Sequence, residues 1–187
     1  MEPGLTILSL QNRFRYLAVI FCFVLATGTT RGLNSSAPQG LYRLRFYHTH
    51  TGQRLDIVYR RGHTYDVRAA AQLNEFLRDY RTGDVHQYDP RVFDLLWDLL
   101  LSLGRPGAEI NVVCAYRTPQ TNEYLRTHGH GVAKGSLHMQ AMAVDIRIPG
   151  VPTAKLRDAA LALRRGGVGY YAMSDFVHLD TGRVRRW

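Results

Sequence analysis

Cysteine is nearly absent from this chain of 187 residues, which holds only Cys22 and Cys114. Cys22 lies in an apolar N-terminal run and would leave with it, so Cys114 stands alone and an internal disulfide is excluded. A solitary cysteine among apolar neighbours reads as a small buried residue rather than a nucleophile. Lysine is almost as scarce. Lys134 and Lys155 stand among 24 basic side chains, so arginine carries the net charge of +9. Such a charge suits a general arginine bias or an anionic partner: nucleic acid, a membrane surface or a cell-wall polymer. No continuous basic stretch is interleaved with aromatic residues, which argues against nucleic acid. The densest basic group, Arg183, Arg185 and Arg186, reads as a solvated tail.

Long hydrophobic runs are also missing. The longest, "YLAVIFCFVLA" from Tyr16 to Ala26, is too short for a membrane span. Arg13 and Arg15 precede it, and small and polar residues follow. That order of charge, apolar run and cleavage zone is an export signal over residues 1–28, cut after Gly28, with an uncleaved anchor as the alternative. Arg13 and Arg15 are not adjacent, so there is no twin-arginine pair. Cys22 lacks the small residue before it that lipid attachment requires. No repeat and no low-complexity tract is found. Residues 29–40 read as a linker and residues 41–187 as one domain. A body of that size buries about 70% of its unfolded surface, which is enough for a core without staples.

Within the domain, "LYRLRFYH" alternates, with Tyr42, Leu44, Phe46 and His48 on one side. Thr51-Gly52 signals a turn and "RLDIVYR" follows, which makes a hairpin. His48 and His50 flank its turn and are expected at the surface. Helical spacing runs from Arg68 to Tyr80, and again after Asp89-Pro90 as far as Gly104, with Phe93, Leu96, Trp97 and Leu100 as the buried stripe. "EINVVCAY" is a strand, Thr118-Pro119 opens a helix, and "THGHGVAKGSLH" is a glycine-rich loop. "AMAVDIRI" is a strand with Met142, Val144, Ile146 and Ile148 on one face and Ala143, Asp145 and Arg147 on the other. Pro152-Thr153 introduces the last helix, and "GVGYY" and "FVHLD" are short final strands. The irregular mixture predicts an α+β fold, a small antiparallel sheet flanked by helices.

The chemistry concentrates in "SLHMQAMAVD" and "DFVHLD". Asp145 sits beside Ala143 on a strand whose other face is aliphatic, which suits the floor of a cleft. His138 leads into that strand. Phe176, His178 and Asp180 share one face of the last strand, and pairing the two strands would bring His178 to Asp145. Two imidazoles and one carboxylate leave zinc an open fourth position. The same spacing also suits a hydrogen-bonded loop histidine and a turn-capping aspartate. His128 and His130 are further candidates, without a carboxylate nearby.

"SLHMQAMAVDI", "DFVHLD" and the preceding "CAYRTPQTN" resemble the zinc peptidase family of D-alanyl-D-alanine carboxypeptidases and related murein peptidases, whose fold also occurs in Hedgehog domains. That family reads Ser-x-His, six residues, Asp, and a second His near the C-terminus. "GVAKGSLHMQAMAVDIRIPG" and "GVGYY…FVHLDTGRVRRW" resemble its exported murein endopeptidase branch most closely, and the likeness spans most of residues 41–187. It implies zinc held by His138, Asp145 and His178. It implies a general base three residues before the last ligand, at Asp175, where the family more often carries Glu. Asp180 is the rival for that role, or a partner that orients His178. Arg117 would steady the oxyanion, and Ser136 would fix the loop. Two positions depart from the family pattern: Ala141 replaces a glycine and Cys114 a Ser or Thr.

The function implied is zinc-dependent hydrolysis of murein cross-link peptides by a monomer in the periplasm. Arginines would clamp the carboxylates of the stem peptides. No nucleic acid and no stable membrane insertion after signal cleavage are expected. A non-catalytic zinc-bearing wall-binding module is the alternative. Endopeptidase against carboxypeptidase action stays open at the level of sequence.

Overall fold

The computed structural model describes residues 40–129 and 131–187. The export signal, most of the linker and His130 lie outside the described residues. The alternating segment forms strand β1 (Leu41–His48), paired antiparallel with β2 (Arg54–Arg61). A two-residue strand, β3 (Thr64–Tyr65), extends that edge. Helix α1 (Val67–Phe76) begins at Asp66, whose carboxylate accepts from the backbone N–H groups of Arg68 and Ala69 at 2.8 and 3.1 Å. These are two of the donors a helix start leaves unpaired. Helix α2 (Arg91–Ser102) and strand β4 (Glu109–Cys114) follow. Then come α3 (Pro119–His128), a 3-10 turn (Leu137–Gln140), β5 (Ala143–Arg147), α4 (Thr153–Leu163), β6 (Gly167–Tyr171), β7 (Phe176–Asp180) and β8 (Arg185–Arg186).

The α+β expectation is met, and the sheet is larger than expected. It has eight strands in the order β3-β2-β1-β4-β5-β7-β6-β8. It is also mixed rather than antiparallel, because β1–β4 and β6–β8 pair parallel. Two helices separate β1 from β4, the kind of long crossover a parallel neighbour requires. The pairs β3 and β8 are too short to leave a periodic signal in sequence.

One face of the sheet carries the core. Leu44, Phe46, Ile110, Val112, Val144, Ile146 and Val177 are buried together with Leu73, Phe93, Leu96, Leu99, Leu100 and Leu156 from the helices. The stripe on α2 is wider than expected, and Trp97 sits at its margin, its ring 5.3 Å from that of Tyr42. Helix α1 ends at Phe76, short of Tyr80. The chain then turns so that Asp79, fully buried, accepts from the Thr118 N–H and hydroxyl at 2.9 and 3.1 Å. That contact anchors the start of α3 and the residue before it, Arg117.

His48 corrects a sequence expectation. It is only 1% exposed, packed against Phe76 and Tyr80, because the strand parity that buries Leu44 and Phe46 continues to it. His50 is exposed and stacks on Tyr80 at 4.2 Å. Among the described residues, no helix is long and apolar enough to cross a membrane.

Candidate active site

The opposite face of the sheet carries the polar residues. Cys114, Asp145, His178 and Gly169 are successive register partners across β4, β5, β7 and β6. Direct partners on adjacent strands project to the same side, so topology alone brings Asp145 and His178 together. His138 arrives from the 3-10 turn. Ser136 opens that turn by accepting from the His138 N–H at 3.4 Å. Ala141 closes it in the left-handed region, with φ 50° and no exposure. The turn was expected as open loop; it coils because the Ser136 cap and the Ala141 reversal enclose four residues.

Three atoms converge. His138 Nε2 lies 3.2 Å from Asp145 Oδ1 and 3.1 Å from His178 Nδ1, and His178 Nδ1 lies 2.8 Å from Asp145 Oδ1. The outer ring nitrogens have acceptors of their own. His138 Nδ1–H donates to the Ala115 carbonyl at 2.6 Å, and His178 Nε2–H to Asp180 Oδ2 at 3.1 Å. The Ala115 carbonyl fixes the His138 tautomer with its Nε2 lone pair inward, whereas His178 meets a carboxylate at each ring nitrogen and would turn an inward lone pair only with a cation in place of the Nδ1 proton. Three acceptors this close repel one another unless a cation lies between them. Four ligands at 2.0–2.1 Å in a tetrahedron stand about 3.3 Å apart, which is close to the triangle observed. The donor set therefore fits a metal ion with one position left open.

Protonation energetics follow the same geometry. Burial lowers the pKa of His138, and the neighbouring Asp145 only partly opposes it. Burial alone would raise Asp145, but the two imidazoles outweigh it and hold the carboxyl well below its usual range. Burial would lower His178, yet its hydrogen bonds to Asp145 and Asp180 leave it raised.

Asp180 is fully buried and accepts from four further donors. They are the N–H groups of Gly167 and Gly182 at 3.1 and 2.8 Å, and two nitrogens of Arg185 at 3.0 and 2.7 Å. A β-carbon on Gly167 would sit 2.3 Å from its Oδ2, so only glycine admits this approach. Arg185 is therefore an ion-pair partner on β8 and not part of a solvated tail.

Cys114 is a second neighbour of the centre. Its sulfur lies within 4.8 Å of ligand atoms of His138 and Asp145. Burial and the Asp145 charge push its thiol up to about 12.

The centre forms the floor of an open cleft of about 260 Å³. Arg117 lines it, 92% of its surface covered, with one terminal nitrogen donating to Ser136 Oγ at 3.0 Å and its Nε buried without a partner. The structure thus brings His138, Asp145, His178 and Arg117 together. It does not bring Asp175 with them. Asp175 is exposed on the β6–β7 turn at φ 53°, and its Oδ1 accepts from the Thr153 hydroxyl at 2.9 Å. Its neighbours Ser174 and Phe176 line the cleft; Asp175 does not. His128 is also remote, stacked on Tyr124. Sequence reasoning missed Ala115, whose role is played by a backbone carbonyl. It also missed Asp79 and Trp187, which no motif marks.

Comparison with known proteins gives a consistent result. A family model described as peptidoglycan L,D-endopeptidase MepK matches residues 36–187. The chain is 42% identical over 144 residues to a Haemophilus influenzae protein named probable peptidoglycan L,D-endopeptidase MepK, covering 77% of each. It is 41% identical over 140 residues to the Escherichia coli K12 peptidoglycan L,D-endopeptidase MepK, covering 74% of this chain and 75% of that protein.

Proposed function

The chain belongs to the peptidoglycan L,D-endopeptidase MepK family, and from that membership and the geometry of its cleft we propose a zinc-dependent hydrolase of murein cross-link peptides. The observation that carries the metal is the convergence of His138 Nε2, Asp145 Oδ1 and His178 Nδ1 within 3.2 Å of one another on the cleft floor. Zinc held there supplies a Lewis acid and a water acidified to a pKa of about 7.

The remaining chemistry falls to this chain's own residues. Asp145 supplies the one anionic ligand, and its depressed pKa keeps it ionised at neutral pH. Ala115 and Asp180 hold the two rings so that the metal does not have to order them. Arg117, which lines the cleft, would stabilise negative charge growing on the carbonyl oxygen of the scissile amide. Asp175 is the proposed proton acceptor for the attacking water and donor to the leaving amine. This requires a conformer in which its carboxylate gives up Thr153 and turns between Ser174 and Phe176 into the cleft.

Murein places the work of the enzyme in the cell envelope. Export on residues 1–28 to the periplasm and action as a monomer belong to the same proposal. Incubation of the exported domain with purified cross-linked murein, with and without chelator, tests it. Release of new amine termini that stops with chelator, returns with zinc and tracks bound zinc by elemental analysis is expected. Folded, zinc-replete protein that binds murein and releases no amine would instead make it a wall-binding module. Product masses decide between endopeptidase and carboxypeptidase action.

A further inference from the structure

Among the described residues, Trp187 is the one large aromatic that is both half-exposed, at 49%, and on the rim of the cleft. Such a ring would ordinarily be mobile, yet this one is held by its backbone, its indole N–H and the sheet beneath it. Its backbone N–H donates to Val168 O at 3.2 Å, and its carbonyl accepts from Tyr170 N–H at 3.0 Å. Its indole N–H donates to the Tyr171 hydroxyl at 3.0 Å. The Arg185 guanidinium, tied down by Asp180, lies 4.8 Å from the ring centre. Beneath the ring is Gly169, where a β-carbon would meet the indole at 2.7 Å. Glycine at this register position, directly opposite His178, is what lets the indole lie down on the sheet.

The core does not explain this placement, since Trp187 is not part of the buried cluster. The ring instead forms one side of the cleft, together with Tyr171 and Phe176, which stack at 4.5 Å. It also lines two shallower depressions outside the cleft, one shared with Val132 and Ala133 and one with Arg157 and Tyr170. The cleft wall therefore continues outward across the indole, onto a surface that also carries Arg157, Asp158 and Arg186. An ordered, amphipathic, half-exposed tryptophan offers large contact area at little cost in conformational entropy.

We propose that Trp187 is a specificity-determining platform for the peptide substrate, taking the aliphatic side chain of a residue beside the scissile bond. This rests on the murein reading of the cleft. Distance chooses the peptide over the glycan. The indole centre is 5.1 Å from the ring of His178, and an extended chain advances about 3.3–3.6 Å per residue. Whatever covers Trp187 is thus within one or two residues of the bond being cut. The sugars of murein are attached at the other end of the stem peptide, on the order of 10 Å away by the same spacing. A flat indole face suits a methylene chain.

The test compares Trp187→Leu, Trp187→Phe and Gly169→Ala with the parent on a cross-linked muropeptide dimer and on the same dimer stripped of its sugars. A stacking contact is worth roughly a three- to tenfold change in binding. KM is therefore expected to rise by that factor for Trp187→Leu and Gly169→Ala on both substrates, and by less for Trp187→Phe. Turnover number and zinc content should stay near those of the parent. Unchanged KM overturns the proposal. So does a defect confined to the sugar-bearing dimer, which would make the platform a glycan site. So does loss of zinc or of turnover with KM unmoved, which would make Trp187 a positioning residue for His178.

A second readout does not depend on turnover. In a Trp97→Phe background Trp187 is the sole tryptophan, and saturating sugar-free dimer is expected to shift its emission to shorter wavelength. Absence of a shift overturns the platform even if murein is cleaved. A shift without cleavage in the parent overturns the peptidase reading and leaves the platform standing.

Discussion

Asp145 and His178 are direct register partners across β5 and β7, and their side chains meet at 2.8 Å. The two strands are hydrogen-bonded neighbours, so the ladder of the sheet sets the separation of these two side chains. A one-residue slip of β7 would turn His178 to the core face. This pair is in that sense as rigid as the sheet, and only its neighbour His138 depends on a turn.

Asp180 should matter through His178 rather than by touching substrate. Asp180→Asn removes the anion that fixes the ring and is expected to weaken zinc affinity or activity about 10–100-fold. Arg185→Gln removes the guanidinium partner of the same carboxylate and should cost stability with much less effect on zinc. Competition against a chelator of known affinity separates the two. Equal zinc affinity in Asp180→Asn and the parent would remove Asp180 from this role.

Asp175 and Thr153 make a paired prediction. Asp175→Asn should lower turnover at least about 100-fold with zinc retained, the scale of a lost general base. Thr153→Val removes the hydroxyl that holds the carboxylate outside the cleft and should leave turnover equal or higher. Turnover of Asp175→Asn within about threefold of the parent would place the base elsewhere. A loss in Thr153→Val as large as in Asp175→Asn would mean that the bond positions the base instead of parking it.

His48 gives the fold a pH dependence of its own. Burial, with smaller contributions from His50 and Arg78, lowers its pKa from 6.5 to about 4. Near pH 5 the unfolded chain binds a proton there and the folded chain does not, so stability is full above pH 6.5 and declines as pH falls toward 4. The gap corresponds to at most about 3 kcal/mol. Urea midpoints of the parent and of His48→Phe, measured from pH 7 to 4.5, should diverge on the acid side, the parent losing more. Parallel curves would contradict it.

Ala141 occupies a left-handed conformation with no exposed surface. Ala141→Gly relieves about 1–2 kcal/mol of backbone cost. It also loses a buried methyl worth about 0.8 kcal/mol and adds about 0.5–1 kcal/mol of chain entropy to the unfolded state. The opposing effects leave it within about 1 kcal/mol of the parent. Ala141→Val adds bulk and β-branching to a sterically closed site and should cost about 3 kcal/mol or more. Thermal unfolding of the zinc-free proteins measures both. Tolerance of valine would show that the turn before β5 can open.

Local pattern alone carried much of this protein. Alternation placed β1, β5 and β7 and put Asp145 and His178 on the face away from Val144 and Ile146, because strand parity is a property of the chain itself. Turn and cap residues marked the ends of α2, α3 and α4. The motif spacing picked out His138, Asp145, His178 and Arg117, and those four do come together. Tertiary structure decided what depends on partners distant in sequence. It paired β1 with β4 in parallel across two helices, and it buried His48 by packing α1 over it. It gave His138 a backbone carbonyl 23 residues away and fixed Trp187 over Gly169. It also turned Asp175 onto Thr153, a contact between α4 and a hairpin turn that no short-range rule contains. Sequence periodicity records which way a side chain faces along its own element; which neighbour it then meets is settled only when the elements pack.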